Sequence, residues 1–162
     1  MAIIRVLLLL ALSMAVSGCG FELRRDAVLS PALARVHVAA ADPASPIARG
    51  VRAELGRQGA TLVAEATGVA VVRIVVDQVT QEALTISRAA RVQEFVVRHR
   101  VEFEVVDAAG GVLLPLTTIE YSRDFVFDEV QALGAQAQGE LLRRELARDI
   151  ERAVLERLAR VR

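Results

Sequence analysis

The chain has almost nothing with which to cross-link itself or hold a metal. Its 162 residues include one cysteine and two histidines, so no internal disulfide can form. His37 has no acid or second histidine at metal-ligand spacing. There is no G-x-S-x-G elbow, no phosphate-cradling glycine loop and no H-E-x-x-H pair, which excludes the common hydrolase, nucleotide-binding and metalloprotease signatures. Glu102 and Glu104 are spaced to share a strand face, but arginines flank them and they fall on the face expected to be open. The chain is therefore expected not to be an enzyme. Lysine is absent, and all 20 basic residues are arginine, balanced by 20 acidic ones to a net charge of +0. That balance argues against nucleic acid as a partner, since nucleic-acid binding domains are strongly basic. No apolar run reaches the ~20 residues that span a bilayer, and there is no internal repeat or low-complexity tract.

What is present begins at the N-terminus. Arg5 supplies one positive charge, Val6 to Leu12 form a short apolar stretch, and small residues lead to Val16-Ser17-Gly18-Cys19. This is the build of a secretory signal. The tetrapeptide resembles the lipobox of bacterial lipoproteins, which implies cleavage before Cys19 and a covalent N-acyl and S-diacylglycerol lipid on it, with no other cofactor. At roughly 0.8 kcal/mol per buried CH₂, several acyl chains together make a stable anchor. Gly20 fits outer-membrane sorting, because in such lipoproteins an aspartate there is the usual inner-membrane retention signal. Removing residues 1–18 leaves 162 − 18 = 144 residues, one domain long enough to bury a core without cross-links.

Residues 19–34 are expected to form a lipidated tether, and 35–162 a single domain. A short strand is predicted at Arg35 to Ala39, then a helix capped by Ser45 with Pro46 in its first turn. Ile47, Val51 and Leu55 make one apolar stripe, and Gly59 ends the helix. Residues 70–79 are rich in β-branched side chains and predict a second strand, with a loop over Thr80 to Ala90. Between Arg91 and Val106, Phe95, Val97, Val101, Phe103 and Val105 alternate with Glu94, Arg98, Arg100, Glu102 and Glu104. That period of two gives a strand with one dry and one charged face. Asp107 to Gly111 is a turn, and a fourth strand runs from Val112 to Phe127, where Pro115 marks an edge or a bulge. From about Gln136 to Val161, Leu142, Leu146, Ile150, Val154, Leu158 and Val161 share one helical stripe. The fold class is α+β, in the order β-α-β-β-β-α, with two helices on one face of a four-stranded, mostly antiparallel sheet. The first two strands, joined through a helix, can pair in parallel.

Four motifs carry a family resemblance. Cys19-Gly20-Phe21-Glu22-Leu23-Arg24 opens the mature chain, and a D-P-x-x-P-[IL] loop precedes Ala48 to Leu55. Arg88 is followed at the matching spacing by Glu94 and Phe95, and Arg123 to Asp128 close the fourth strand. In this combination the chain resembles the LPS-assembly lipoprotein family, LptE, over nearly all of its mature length. The resemblance implies two helices on a four-stranded sheet and an anchor on the periplasmic side of the outer membrane. It implies LptD, the barrel that inserts lipopolysaccharide (LPS), as partner, with LPS as a ligand. One departure stands out: where some members carry a lysine before the final helix, Ala132-Leu133-Gly134-Ala135 has no base.

Centring the last hairpin near Ala109 puts Phe95 opposite Arg123 within a residue or two. Arg88, Arg91 and Arg123 then fall at one end of the molecule, as candidate ligands for lipid A phosphates through charge-assisted hydrogen bonds. The bland alternative is a solvated turn with weak local ion pairs. His99, on the apolar face, is expected to be a satisfied core histidine. The charged row of the third strand fits either a plain wet face or the polar lumen of a barrel. The functional expectation is an outer-membrane lipoprotein that plugs and helps assemble the LptD barrel. The alternative is a free-standing outer-membrane lipoprotein that carries lipid or organises the envelope.

Overall fold

The computed structural model describes residues 29–86, 92–127 and 132–161. Its elements are β1 (Arg35–Ala40), α1 (Pro46–Arg57), β2 (Thr61–Leu62), β3 (Ala70–Ile86), β4 (Val92–Val106), β5 (Val112–Val126) and α2 (Ala132–Leu158). The class and the order of the long elements are as expected, but the sheet has five strands rather than four. The additional strand is β2, whose two residues pair in parallel with Arg35 and Val36 of β1. A two-residue exposed strand has no periodicity to detect, and only its neighbour defines it. The sheet order is β2-β1-β3-β4-β5. β1 is parallel to β2 and β3, whereas β3, β4 and β5 form a long antiparallel meander.

Local chemistry explains the boundaries. Ser45 caps α1 by accepting the Ala48 amide at 3.1 Å, ahead of Pro46. Gly59, at φ 93°, supplies the left-handed residue that turns the chain out of the helix. Pro115 meets both expectations for it. It sits on the edge strand, and between Phe103↔Thr117 and Val105↔Leu114 two β5 residues oppose the single Glu104. This bulge, with a second shift before Val106, moves the register so that Phe95 faces Phe125 and Val97 faces Arg123. The simple hairpin count misses by those two residues.

Two further boundaries differ from expectation. β3 continues to Ile86, through residues placed above in a loop. The stretch Thr-Gln-Glu-Ala-Leu lacks β-branched density, and its strand character comes from pairing with β4 across Thr80↔Arg98 to Ile86↔Val92. At the N-terminus, residues 29–34 belong to the folded body rather than to the tether. Ser30 caps a 3₁₀ turn, Pro31–Leu33, and Leu33 is fully buried in the core.

Both helices lie on one face. Ile47, Val51 and Leu55 of α1 and Ile150, Val154 and Leu158 of α2 close over Val36, Val72, Val101 and Phe103. Burying side chains of this size is worth about 1.5–3 kcal/mol each. A second, smaller cluster of Val97, Phe125 and Leu146 lies further along β4, with Phe95, Phe127 and Leu142 packed around it. Among the described residues no helix is long and apolar enough to cross a membrane.

Candidate functional site

The face of the sheet opposite the helices is covered by no other element among the described residues. Its side chains follow from the alternation of β4: Glu94, Arg98, Arg100, Glu102 and Glu104 all point this way. They are largely self-paired. Arg73 of β3 bonds Glu104, Arg100 bonds Glu102, Arg98 bonds Glu120 of β5 at 3.2 Å, and Thr85 donates to Glu94 at 2.9 Å. Exposed pairs of this kind contribute about 0–1 kcal/mol each. The face is charged and largely self-paired in its middle, but Val76, Val96 and Val126 interrupt it, and Glu82, Glu94 and Asp124 gather without a basic partner among the described residues toward its Val92 end.

Of the three candidate arginines only Arg123 lies among the described residues. Arg88 and Arg91 lie outside the described residues, in the connection from β3 to β4. Arg123 lies opposite Val97, five residues in from the start of β4, or about 17 Å at ~3.3 Å per residue. Its side chain is on the helix face, where Nη2 donates to Asp149 of α2 at 3.1 Å. Asp149 also bonds Arg152. Arg123 therefore ties the edge strand to α2, and its guanidinium already has a carboxylate partner. Cys19 also lies outside the described residues.

His99 is buried in the core, as its place on the apolar face predicts, but is only half satisfied: its Nδ1 is buried with no hydrogen-bond partner among the described residues. Its Nε2 donates to Asp77 Oδ1 of β3 at 2.7 Å, and the Ser45 hydroxyl donates to the same carboxylate. Burial would raise the Asp77 pKa, but the two hydrogen bonds and the adjacent imidazole more than offset it. The carboxyl sits below its ordinary value. This chain of bonds joins the cap of α1 to β3 and β4. His37 Nδ1 bonds the Val63 carbonyl at 3.0 Å. Among the described residues no group of three His, Cys, Asp or Glu side chains could hold a metal.

Sequence reasoning missed one feature. Beside Asp77 and His99, between the N-terminus of α1 and the middle of α2, lies an open cleft of about 580 Å³. Pro46, Val79 and Ala147 give it apolar walls, and Arg144 and Arg148 stand on its α2 side. The available signal was an acid, Asp77, inside a β-branched run, together with a histidine in an apolar row.

Residues 33–158 match the sequence profile of the lipopolysaccharide-assembly family LptE. The chain belongs to the LptE family. It is 26% identical over 156 residues to the LPS-assembly lipoprotein LptE of Photorhabdus laumondii, covering 95% of this chain and 85% of that one. With the LptE of Yersinia pestis the identity is 29% over 157 residues, covering 95% and 75%. The fold is shared with solved lipoproteins. The solution structure of an uncharacterized lipoprotein B from Nitrosomonas europaea matches with a TM-score of 0.72 at 26% identity, over 86% of this chain and 90% of that one. The crystal structure of rare lipoprotein B from Shewanella oneidensis gives 0.66 at 25%, over 77% and 93%. Membership in the LptE family makes this chain an envelope lipoprotein of the LPS-assembly system.

Proposed function

We propose that this protein is anchored through an acylated Cys19 to the periplasmic side of the outer membrane, where it plugs the LptD barrel and assists its assembly. It acts there by binding, without catalysis, and contacts LPS as the barrel inserts it into the outer leaflet. The observation that carries this reading is the uncovered outer face of the sheet. It is dominated by charged and polar side chains, many of them paired with one another, which suits the polar wall of a barrel lumen. The lipobox and the family membership support the anchor and the LPS context.

The test is the protein's company after mild detergent extraction. Plugging predicts recovery of a much larger, heat-modifiable barrel with it, and a lone monomer overturns the reading in favour of a free-standing lipoprotein. Cys19→Ala should abolish acylation and leave the domain folded, because Cys19 precedes every core-forming residue. LPS contact through the end bearing Arg88 and Arg91 is tested by Arg88→Glu, which should lower LPS binding and its salt sensitivity. Arg88→Lys should be partly damaging, since an ammonium cannot reproduce the guanidinium fork.

A further inference from the structure

β3 has a neighbour on its β1 side only along Ala70–Ile74. There β1 ends, and the chain turns into α1, with Ser45 bonded to Asp77. From Gln78 to Ile86, β3 pairs with β4 alone, and no strand of the described residues lies on its other side. An open edge presents unpaired N–H and C=O groups, and proteins usually blunt it with proline, charge or bulges. The opposite edge of this sheet, β5, is blunted in these ways: Pro115 sits in a bulge, and Glu120, Arg123 and Asp124 follow. Residues 78–85 of β3 contain no proline and one charge, Glu82, and their irregularities begin only at Leu84.

The cleft of about 580 Å³ lies on the helix side of this edge. Val79 is 43% exposed at its floor despite facing the helices, so apolar surface there is uncovered. The carboxylates around it are committed elsewhere. Asp77 is held by His99 and Ser45, and Glu140 bonds Arg143, which also donates to Gln81. The Glu151 carboxyl occupies the space beside Gly50 of α1. Arg144 and Arg148, one helical turn apart, have no hydrogen-bond or ion-pair partner among the described residues. The net offer of the site is an unpaired backbone edge, a patch of apolar floor and two free guanidiniums.

We propose that the open edge of β3 and the arginine-lined cleft beside it dock an extended, acidic segment of a partner protein as an added strand. Its backbone pairs with β3, and among the alternate residues that face the helices an apolar one covers Val79 while carboxylates at the neighbouring helix-facing positions meet Arg144 and Arg148. A second copy is a poorer occupant, because edge-to-edge pairing would bring a second Arg144/Arg148 pair to the same side of the joined sheet and no added carboxylate for the first. The proposal goes beyond the barrel reading and is tested without the barrel.

The mature chain in non-ionic detergent is titrated against a fluorescein-labelled octapeptide, Thr-Glu-Thr-Val-Thr-Glu-Thr-Glu, whose valine and glutamates share one strand face, read by fluorescence anisotropy. Two comparison peptides replace glutamate by lysine, or carry N-methyl groups on alternate residues to remove strand hydrogen bonding. Saturable binding of the first peptide and neither of the others is expected. Replacing Arg144 and Arg148 together by Glu should weaken it at least about tenfold, whereas Arg160→Glu should not change it. If the double reversal disturbs folding by circular dichroism, Arg144→Gln with Arg148→Gln replaces it. Absence of saturable binding, equal binding of the lysine peptide, or indifference to N-methylation overturns the proposal. Concentration-dependent dimerisation abolished by the same arginine substitutions would also overturn it, by making a second copy the occupant.

Discussion

The end of the sheet near the Asp107–Gly111 turn and the opposite end are built on the same three long strands, yet they are held in different ways. Near the turn, β1, α1 and the C-terminal half of α2 all contribute to one core around Phe103. At the other end only the first half of α2 covers β3, β4 and β5. Three aromatic rings do much of the packing there: Phe95 stacks on Phe125 at 5.7 Å and meets Phe127 edge-on at 5.4 Å. The change occurs at one residue. The register shift at Val75 reverses the parity of β3. Val72 and Ile74 face the helices before it, and Asp77, Val79 and Gln81 after it, each paired with a helix-facing residue of β4. A single inserted residue thus converts a fully apolar strand face into a mixed one. Stability is concentrated at one end, and the other is left with a cleft, an open edge and polar tips.

Truncations should separate the two ends. Phe103→Ala, in the main core, should cost about 3–5 kcal/mol. Phe125→Ala, on an edge strand that can collapse onto Leu146, should cost about 2–3 kcal/mol, below the usual range for aromatic truncation. Denaturant melts of both variants in the lipid-free chain decide it, and equal losses would mean the two clusters share one cooperative core.

Asp77→Asn sharpens the contrast at the junction. The native carboxyl has a lowered pKa, so its contribution is present above the ordinary aspartate value and is lost as pH falls through the native value. The variant should lose about 1–2 kcal/mol at pH 7, where it weakens hydrogen bonds to a charged acceptor. The gap to wild type should close in acid. A gap that is constant from pH 7 to pH 2.5 would show that the charge is irrelevant.

A smaller effect, of opposite sign, is expected where the helices touch. Burial against α1, partly offset by Arg57 and reinforced by Glu54, raises the Glu151 pKa. The carboxylate is therefore unfavourable at neutral pH and relieved as it protonates. Glu151→Gln should stabilise slightly at pH 7 and not at pH 3. Gly50→Ala forces the same carboxyl outward into water and removes a mid-helix glycine, for a gain of up to about 1 kcal/mol. Smallest of all, Glu104→Ala on the outer face should change stability by no more than about 0.5 kcal/mol despite its bond to Arg73.

The elements visible in the sequence are those with their own periodicity or caps. β4 alternates, α2 carries a stripe from Leu142 to Leu158, and Ser45-Pro46 marks the start of α1. Features defined only by a neighbour were hidden. β2 exists because β1 lies beside it, the second half of β3 because β4 does, and Leu33 is core because of where the chain passes. For the candidate site the same rule holds. His99 was legible as a core residue from its place in an apolar row, but its partner Asp77 was not, since the Val75 bulge decides which way that side chain points. Nor were the free guanidiniums of Arg144 and Arg148. Glu140 bonds Arg143 rather than Arg144, and spacing alone cannot choose between i+3 and i+4.

The folding-in of residues 29–34 shortens the leash. With acylation at Cys19, as proposed, only the segment up to Leu29 remains between the lipid and the folded body, ten peptide steps or at most about 35 Å fully extended. Leu29 and the start of β1 lie at the Asp107–Gly111 end, because β1 and β3 begin together and β3 begins opposite Val106. The anchor thus fixes which end of the body stays close to the inner leaflet. The Val92 end of β4 stands a strand's length beyond it, about 46 Å for the fourteen steps of β4 at ~3.3 Å each. A lipid on Cys19 would make the body a spacer, holding the Val92 end of β4 a full strand's length from the anchored end.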